Sequence, residues 1–239
     1  MINFNVRINS GSLIQDTLSI FYPSLCAACD DLLVRGEDLI CTKCLIQLPR
    51  TAFHLDEHNP VAKQFWGKVN LEAATAYFHF HKGELVQQLV HKLKYQNSPE
   101  VGVRMGMLCG ADLLGSSQYA SADMVIPVPL HPKKQRIRGY NQAACFGEGL
   151  ATAMGILHLP KAIKRKKHTD TQTKKSRFAR FKNVAEVFLI RNPDELRGKK
   201  ILLVDDVITT GSTLTACAKI LLELEGVKVL VVSMAFAEK

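Results

Sequence analysis

The sequence predicts an α/β protein with a parallel sheet, helices on both faces of that sheet, and a small four-cysteine module at its N-terminal end. Apolar runs typical of strands buried on both faces alternate with segments of helical apolar periodicity. One such run, Ile201 to Val204, leads directly into two acids and a turn rich in hydroxyl groups. Two C-x-x-C pairs lie between Cys26 and Cys44.

The four-cysteine module is defined by its spacing. Cys26-Ala-Ala-Cys29 is followed by eleven residues and then by Cys41-Thr-Lys-Cys44. Each pair turns two sulfurs towards one point, which is the ligand arrangement of a tetrahedral structural zinc site. Two disulfides or free thiols are the alternative. We expect these four cysteines to hold a structural Zn²⁺ in a region spanning residues 1–58, with residues 59–239 forming the second domain.

The N-terminal stretch indicates the cellular compartment in which we expect the protein. Met1 to Asp16 has no apolar core and no small-residue cleavage site, so it does not resemble a secretory signal. No run reaches the roughly 18 apolar residues of a membrane span, so membrane insertion is not expected. We therefore expect a cytoplasmic protein, a compartment in which disulfides are disfavoured. A short helix near Leu13 to Phe21 is predicted to lead into the module.

The remaining elements follow in chain order. After a connector over 51–70, the apolar pattern predicts strands over 75–81, 124–128, 184–190, 201–204 and 227–234, with a further strand near Ala162. Helical periodicity predicts helices over 85–93, 99–114, 141–154 and 212–224. Alternating strands and helices are typical of parallel sheets, in which ligands lie at the carboxyl ends of the strands.

A basic loop is predicted between Pro127 and Gln142, directly after a buried strand. Proline and positive charge together favour a rigid cationic rim that suits a diphosphate. An isolated basic loop is more often simply solvated, so this interpretation depends on the loop lying beside the acidic strand. The cations expected to face an anion are Lys133, Lys134, Arg136 and Arg138.

The acid pair and the turn after it form the candidate site. Asp205 and Asp206 can accept hydrogen bonds from vicinal sugar hydroxyls or lie near a Mg²⁺ ion. The turn precedes a helix, so its amide groups attract an anion, and Gly211 allows close approach. Taken singly, such residues more often cap a helix or mark a turn. The residues expected to hold a monophosphate are Thr209, Thr210, Gly211, Ser212 and Thr213.

The net charge of +9 is concentrated in one segment. Residues 161–182 contain ten lysines or arginines and one acid, Asp170. Three interpretations stay open for this segment: a hood that closes over the diphosphate, a contact for a nucleic-acid backbone, or a solvated hairpin.

The run from Ile201 to Thr213 resembles the motif of type I phosphoribosyltransferases that binds phosphoribosyl pyrophosphate (PRPP). Together with the cysteine pairs, Lys92 to Tyr95, Pro127 to Gln142 and Thr171 to Thr173, it is similar to the ComF family of competence-associated proteins. The resemblance implies a type I phosphoribosyltransferase-like fold with an N-terminal zinc module. It also implies that Lys94 joins the PRPP-binding residues.

The resemblance implies a function as well. Asp205 and Asp206 would be the catalytic residues of a phosphoribosyltransferase that binds PRPP with Mg²⁺ and acts on an unidentified acceptor. The family is linked to DNA uptake in natural transformation. Two alternatives stay open: a PRPP sensor without turnover, and an accessory protein that binds single-stranded DNA or competence proteins.

Overall fold

The computed structural model describes residues 24–81, 83–165 and 187–238. The chain divides into two compact units that meet in sequence between Gln47 and Leu48. The predicted helix near Leu13 to Phe21, the block Thr171 to Thr173 and most of the basic segment 161–182 lie outside the described residues. No helix in the described ranges is long and apolar enough to span a membrane.

The first unit contains helix α1, Thr42–Gln47, and two short bridges, Leu25 to Leu32 and Asp38 to Ile40. The Glu37 carboxylate holds its turns together, because it accepts hydrogen bonds from the backbone N–H of Thr42 at 2.7 Å and of Val34 at 3.1 Å. The bond from Thr42, followed by that from Val34, lowers the pKa of Glu37. One carboxylate therefore both caps the start of α1 and ties it to the preceding turn.

The second unit contains the remaining helices and all the named strands of the described residues. The helices are α2 Pro60–Lys63, α3 Leu85–Tyr95, α4 Pro99–Leu113, α5 Ser117–Ala120, α6 Pro132–Arg138, α7 Gln142–Met154 and α8 Ser212–Leu222. The strands are β1 Ala73–His79, β2 Met124–Pro127, β3 Leu157–His158, β4 Ile163–Arg165, β5 Phe188–Ile190, β6 Lys200–Ile208 and β7 Lys228–Phe236. Short 3₁₀ turns span Phe53–Leu55 and Pro193–Glu195.

Five strands form a parallel sheet in the order β1, β7, β6, β2, β3. The motif strand β6 lies at its centre, where Val204 pairs with Val232 on one side and with Pro127 on the other. Ile201 to Val204 are buried, as expected of a strand covered on both faces. The predicted parallel α/β sheet is thus confirmed. β4 and β5 form a separate antiparallel pair.

Helices cover both faces of this sheet, as predicted. On one face, Ile201 and Leu203 join a buried cluster that includes Leu214 and Cys217 of α8. On the other face α7 lies so close that a Cβ placed on Gly147 would meet Val125 Cγ1 at 3.0 Å and Val204 Cγ2 at 3.1 Å. Since side chains alternate along a strand, Asp205 and Asp206 belong to opposite faces.

Two predicted loops contain more structure than expected. The stretch Pro127 to Gln142, predicted as a basic loop, contains helix α6. Pro132 occupies its first turn, where a missing N–H costs nothing, and the His131 ring accepts a hydrogen bond from Lys133 N at 3.2 Å. The connector over 51–70 contains α2, whose cap Asn59 is buried.

Candidate functional site

The acid pair lies within a strand and not in the following loop, since β6 continues through both acids to Ile208. Each carboxylate accepts a backbone N–H: Asp205 Oδ1 from Asp206 N at 2.9 Å, and Asp206 Oδ1 from Val207 N at 2.7 Å. These local bonds fix the two carboxylates at the carboxyl end of the central strand. That is the edge at which parallel sheets bind ligands.

Lys94 brings helix α3 to the acids. Its Nζ lies 2.8 Å from Asp206 Oδ2, and the two side chains are 19% and 16% exposed. An ion pair this sheltered is screened by salt far less than a surface pair. The structure therefore joins Lys94, which the family resemblance assigned to the PRPP site, to one of the predicted catalytic acids.

Asp205 has a different environment. Burial, followed by the neighbouring Asp206 charge, raises the pKa of Asp205 well above its usual value, while the hydrogen bond from Asp206 N and the Lys94 charge oppose the shift. Two adjacent carboxylates cannot both ionise cheaply in a sheltered place. Asp205 thus keeps its proton to a higher pH than a lone surface aspartate would.

The turn between β6 and α8 exposes most of its hydroxyl side chains. Gly211 precedes Ser212, the first residue of α8, with φ of +67°, a left-handed conformation that favours glycine. The hydroxyls of Thr210 and Ser212 lie 2.8 Å apart. Thr209, Thr210 and Ser212 are exposed, and Thr213 is half-buried. Exposed hydroxyls beside the N-terminus of an eleven-residue helix can receive an anion.

The predicted cations on α6 divide into two groups. Lys133, Lys134 and Arg136 are exposed, whereas Arg138 donates to Gln142 Oε1 at 2.9 Å and lies 5.5 Å above the Tyr95 ring. The structure brings Lys94 to the acids and does not record such a contact for the three exposed cations.

Contacts absent from the sequence prediction hold α6 and the residues that follow it against α3. The Tyr140 hydroxyl donates to the carbonyl of Leu93 at 2.6 Å, one residue before Lys94. Arg138 and Tyr95 add the cation–π contact described above. The quoted motif blocks Lys92 to Tyr95 and Pro127 to Gln142 therefore meet in space. Their separate positions in the sequence carried no signal for that pairing.

The predicted metal ligands converge. The four sulfurs of Cys26, Cys29, Cys41 and Cys44 lie within 4.8 Å of one another, and those of Cys29 and Cys41 are 3.9 Å apart. Cys26 Sγ accepts N–H bonds from Ala28 at 3.4 Å and Cys41 at 3.3 Å. Backbone N–H groups directed at sulfur favour thiolates, the form that binds metal. The cluster is suited to a metal ion such as zinc.

A cavity of about 520 Å³ lies beside the connector, bounded by residues between Glu57 and Ala74. The residues that line it include Phe65, Trp66, Lys68 and Glu72. None of the acids or hydroxyl residues of the motif lines it. The candidate site is therefore an open edge of the sheet and not this cavity.

Comparison with known proteins gives matches over several parts of the chain. Residues 141–239 match the family model for the phosphoribosyl transferase domain. Competence protein F of Haemophilus influenzae is 36% identical over 148 residues, which are 60% of this chain and 65% of that protein. Competence protein ComFC of Bacillus subtilis is 31% identical over 100 residues, which are 42% of this chain and 38% of that protein.

A solved structure of glutamine phosphoribosylpyrophosphate amidotransferase from Bacillus subtilis is also similar, with 22% identity and a TM-score of 0.39. It covers 59% of this chain and 30% of that one. The chain spans less than two thirds of the length of the two competence proteins. The two competence proteins and the matched phosphoribosyl transferase domain together support a ComF-type protein with a phosphoribosyltransferase-like domain.

Proposed function

We propose that this protein binds PRPP with Mg²⁺ at the carboxyl end of β6 and transfers its phosphoribosyl group to an acceptor. One observation supports this most strongly. A single short segment sets two carboxylates, one of them paired with Lys94, beside a hydroxyl-lined turn at a helix N-terminus. A phosphorylated ribose needs both features, since its vicinal hydroxyls donate to carboxylates and its phosphate accepts from amides and hydroxyls.

Each group then has a role. Asp205 and Asp206 accept hydrogen bonds from the ribose hydroxyls, and Lys94 offsets charge on the diphosphate. The exposed cations of α6 can approach the same diphosphate, because Arg138 of α6 contacts Tyr95 of α3, the residue that follows Lys94. The 5′-phosphate is held by Thr209, Thr210, Gly211, Ser212 and Thr213.

The transfer step breaks the bond between C1 of the ribose and a diphosphate oxygen, and the electron pair leaves with pyrophosphate. A lone pair of the acceptor forms the new bond to C1, and the acceptor releases one proton. Positive charge develops on the sugar, so the nearby carboxylates stabilise the transition state. Mg²⁺ would arrive with the diphosphate and neutralise part of its charge, and oxygen atoms such as those of Asp205 and Asp206 are the ligands this ion prefers.

We also propose that the four cysteines hold one structural Zn²⁺. Four sulfur ligands complete a tetrahedron and leave no position for a reactive water. The 3.9 Å separation of Cys29 and Cys41 sulfurs is close to the spacing of about 3.8 Å that tetrahedral zinc with 2.3 Å bonds requires. The metal would thus stabilise the first unit and take no part in transfer.

A second candidate function is single-stranded DNA binding in competence, the process named for both relatives. The observation that favours it is the cation–π contact in which Arg138 lies 5.5 Å above the exposed Tyr95 ring. Arg138 shares α6 with the exposed Lys133, Lys134 and Arg136, and such surfaces combine backbone contacts with base stacking. Binding by this surface would weaken steeply with salt and would fall when Lys133 and Lys134 are replaced by glutamine. Salt-independent binding would argue against it.

The transferase proposal is tested by thermal unfolding and by pyrophosphate release. PRPP with Mg²⁺ should raise the melting temperature, and Asp205→Ala with Asp206→Ala should abolish the rise. Pyrophosphate release with an acceptor marks an enzyme, whereas a melting shift without release marks a PRPP sensor. An equal shift in the double variant would reject this site.

A further inference from the structure

Two neighbouring residues of the connector, Gln64 and Phe65, contact the turn over 209–213, which is the proposed site of the 5′-phosphate. Gln64 Nε2 donates a hydrogen bond to the Thr209 carbonyl at 3.2 Å. The Phe65 ring lies against Gly211, where an added Cβ would meet two ring carbons at 3.1 Å. Neither residue belongs to any motif block, and nothing in the sequence distinguishes them from the rest of the connector.

The hydrogen bond from Gln64 fixes the orientation of a whole peptide group. The carbonyl of Thr209 and the N–H of Thr210 belong to one planar trans peptide, so they point in opposite directions. While Gln64 holds the carbonyl on the connector side, the Thr210 N–H is turned towards the other side of the strand-to-helix turn. A rotation of this peptide would direct a carbonyl oxygen there instead, and an anion would be repelled.

The segment that carries Gln64 and Phe65 is anchored to the sheet and to the buried core. Phe65 is 2% exposed and belongs to the same buried cluster as Val61 and Leu214. Asn59, which caps α2, donates from Nδ2 to the Ala74 carbonyl of β1 at 2.8 Å and accepts from Ala62 N at 2.9 Å. Gln64 therefore reaches the turn from a base that is packed onto the sheet.

The stability of the fold alone does not explain why an amide side chain occupies position 64. Its Oε1 is buried and has no hydrogen-bond partner within the described part of the chain, although Nε2 bonds to Thr209. A buried polar atom without a partner is unfavourable, so packing alone would favour an apolar side chain of similar length. The presence of an amide here despite that cost points to a role at the turn.

We propose that Gln64 is a positioning residue of the phosphate site: it holds the peptide between Thr209 and Thr210 with its N–H available to the 5′-phosphate, and Phe65 supports Gly211. This inference rests on the proposed function for its ligand, but the orientation of the turn can be measured without any ligand.

The test replaces Gln64 by methionine, which keeps the length and removes the donor. The matched control is Gln118→Met, which removes a bond of the same kind, from Gln118 Nε2 to the Glu72 carbonyl at 3.0 Å, far along the chain from the motif. Hydrogen exchange is followed in ligand-free protein for the segment 209–213. We expect Gln64→Met to speed exchange there about tenfold and Gln118→Met to leave it unchanged.

Binding is then measured with two probes, ribose 5-phosphate and pyrophosphate. Gln64→Met should weaken ribose 5-phosphate about tenfold while leaving pyrophosphate unchanged, because the turn contacts the 5′-phosphate alone. Equal losses for both probes would indicate general damage and overturn the positioning role. Gln64→Glu, which keeps the shape but has no donor when ionised, repeats the test if methionine lowers the melting temperature.

The two proposals fail in different ways. If the wild-type protein binds neither probe, the proposed function is wrong, and the exchange data still decide whether Gln64 orders the turn. If the wild-type protein binds ribose 5-phosphate and Gln64→Met matches it in both affinity and exchange, the positioning role is wrong and the proposed function stands.

Discussion

Lys94 and Asp206 form the contact on which the site depends at the scale of single residues. Their 2.8 Å ion pair joins α3 to the end of β6. A ribose hydroxyl that donates to Asp206 and a diphosphate that attracts Lys94 would each engage one member of the pair. In the ligand-free protein the two side chains therefore neutralise each other, and in the proposed function PRPP would replace this contact.

Lys94→Met should weaken binding of PRPP with Mg²⁺ by tenfold or more, since a charge-assisted contact contributes about 1.5–3 kcal/mol. It should also lower the melting temperature, because Asp206 loses its partner in a sheltered place. Lys94→Arg should retain most of both properties. Lys219→Met, which removes an exposed lysine of α8, is the matched control. Equal affinity for Lys94→Met and wild type would remove Lys94 from the site.

Asp205→Asn should stabilise the protein at pH 7 while weakening PRPP binding. Because the folded pKa of Asp205 lies above its unfolded value, the native state holds the proton longer than the unfolded state. Stability is then lost as pH rises from about 4 through the folded pKa, and the asparagine variant escapes that loss. We expect a gain of about 1 kcal/mol near neutrality and none near pH 3. Urea unfolding at several pH values measures this, and a variant less stable than wild type at pH 7 would contradict it.

The acids and hydroxyls could be predicted because they are contiguous with a buried strand. Their partners could not be predicted in the same way. Gln64 lies 145 residues before Thr209, and Tyr140 lies 47 residues after Leu93, so only the fold brings these pairs together. Gly211 permits the left-handed conformation seen before α8, but its position directly before a helix does not predict that conformation, since such residues are usually extended.

Helices α4 and α7 pack unusually closely at the scale of elements. A Cβ on Gly106 would lie 2.1 Å from the Phe146 carbonyl oxygen, and one on Gly149 would lie 2.0 Å from that of Val103. Gly102 and Gly110 continue the same line on α4. These glycines let the two backbones approach, and α7 in turn packs on the sheet beneath the acids.

Gly106→Ala should therefore destabilise the protein by about 2–4 kcal/mol, because backbone atoms must move apart to admit one methyl group. Gly115→Ala, just beyond α4, is the control; its nearest neighbour would be the Asp112 carbonyl oxygen at 3.3 Å. We expect that variant to change stability by less than about 0.5 kcal/mol. Chemical unfolding of both proteins gives the comparison, and similar stabilities would show that the helices can separate at little cost.

Elements with a strong period were predictable, and those without one were not. Helix α4 spans Pro99–Leu113, close to the predicted 99–114. α6 was predicted as a loop because its seven residues are polar or charged apart from Pro132 and Ile137, and Ile137 is exposed. Such a short helix is specified by its proline, its histidine cap and Gly139 after it, rather than by an apolar face.

The whole molecule consists of two units with separate stabilising devices. The second has a large buried core, whereas the first is short and includes four clustered cysteines. Small units without a large core commonly need a metal or disulfides. The cysteine spacing predicted this arrangement because ligand spacing is a local property of the chain.

Elemental analysis should find about one zinc per chain, and Cys26→Ser should lose the metal and unfold the first unit. Cys145→Ala, which removes a thiol of α7, should retain the zinc. Cys26→Ser should still bind PRPP, because all the proposed PRPP ligands lie in the unit from Leu48 to Lys239. Metal-free wild-type protein with a folded first unit would contradict the zinc assignment.

PRPP binding at β6 is tested most directly by a calorimetric titration of PRPP with Mg²⁺ into the wild-type protein and into Asp205→Ala with Asp206→Ala. We expect saturable binding at one site per chain in the wild type, and none in the double variant at the same concentrations. Absence of binding in the wild type, or equal affinity in both proteins, would show that the carboxyl end of β6 is not a PRPP site.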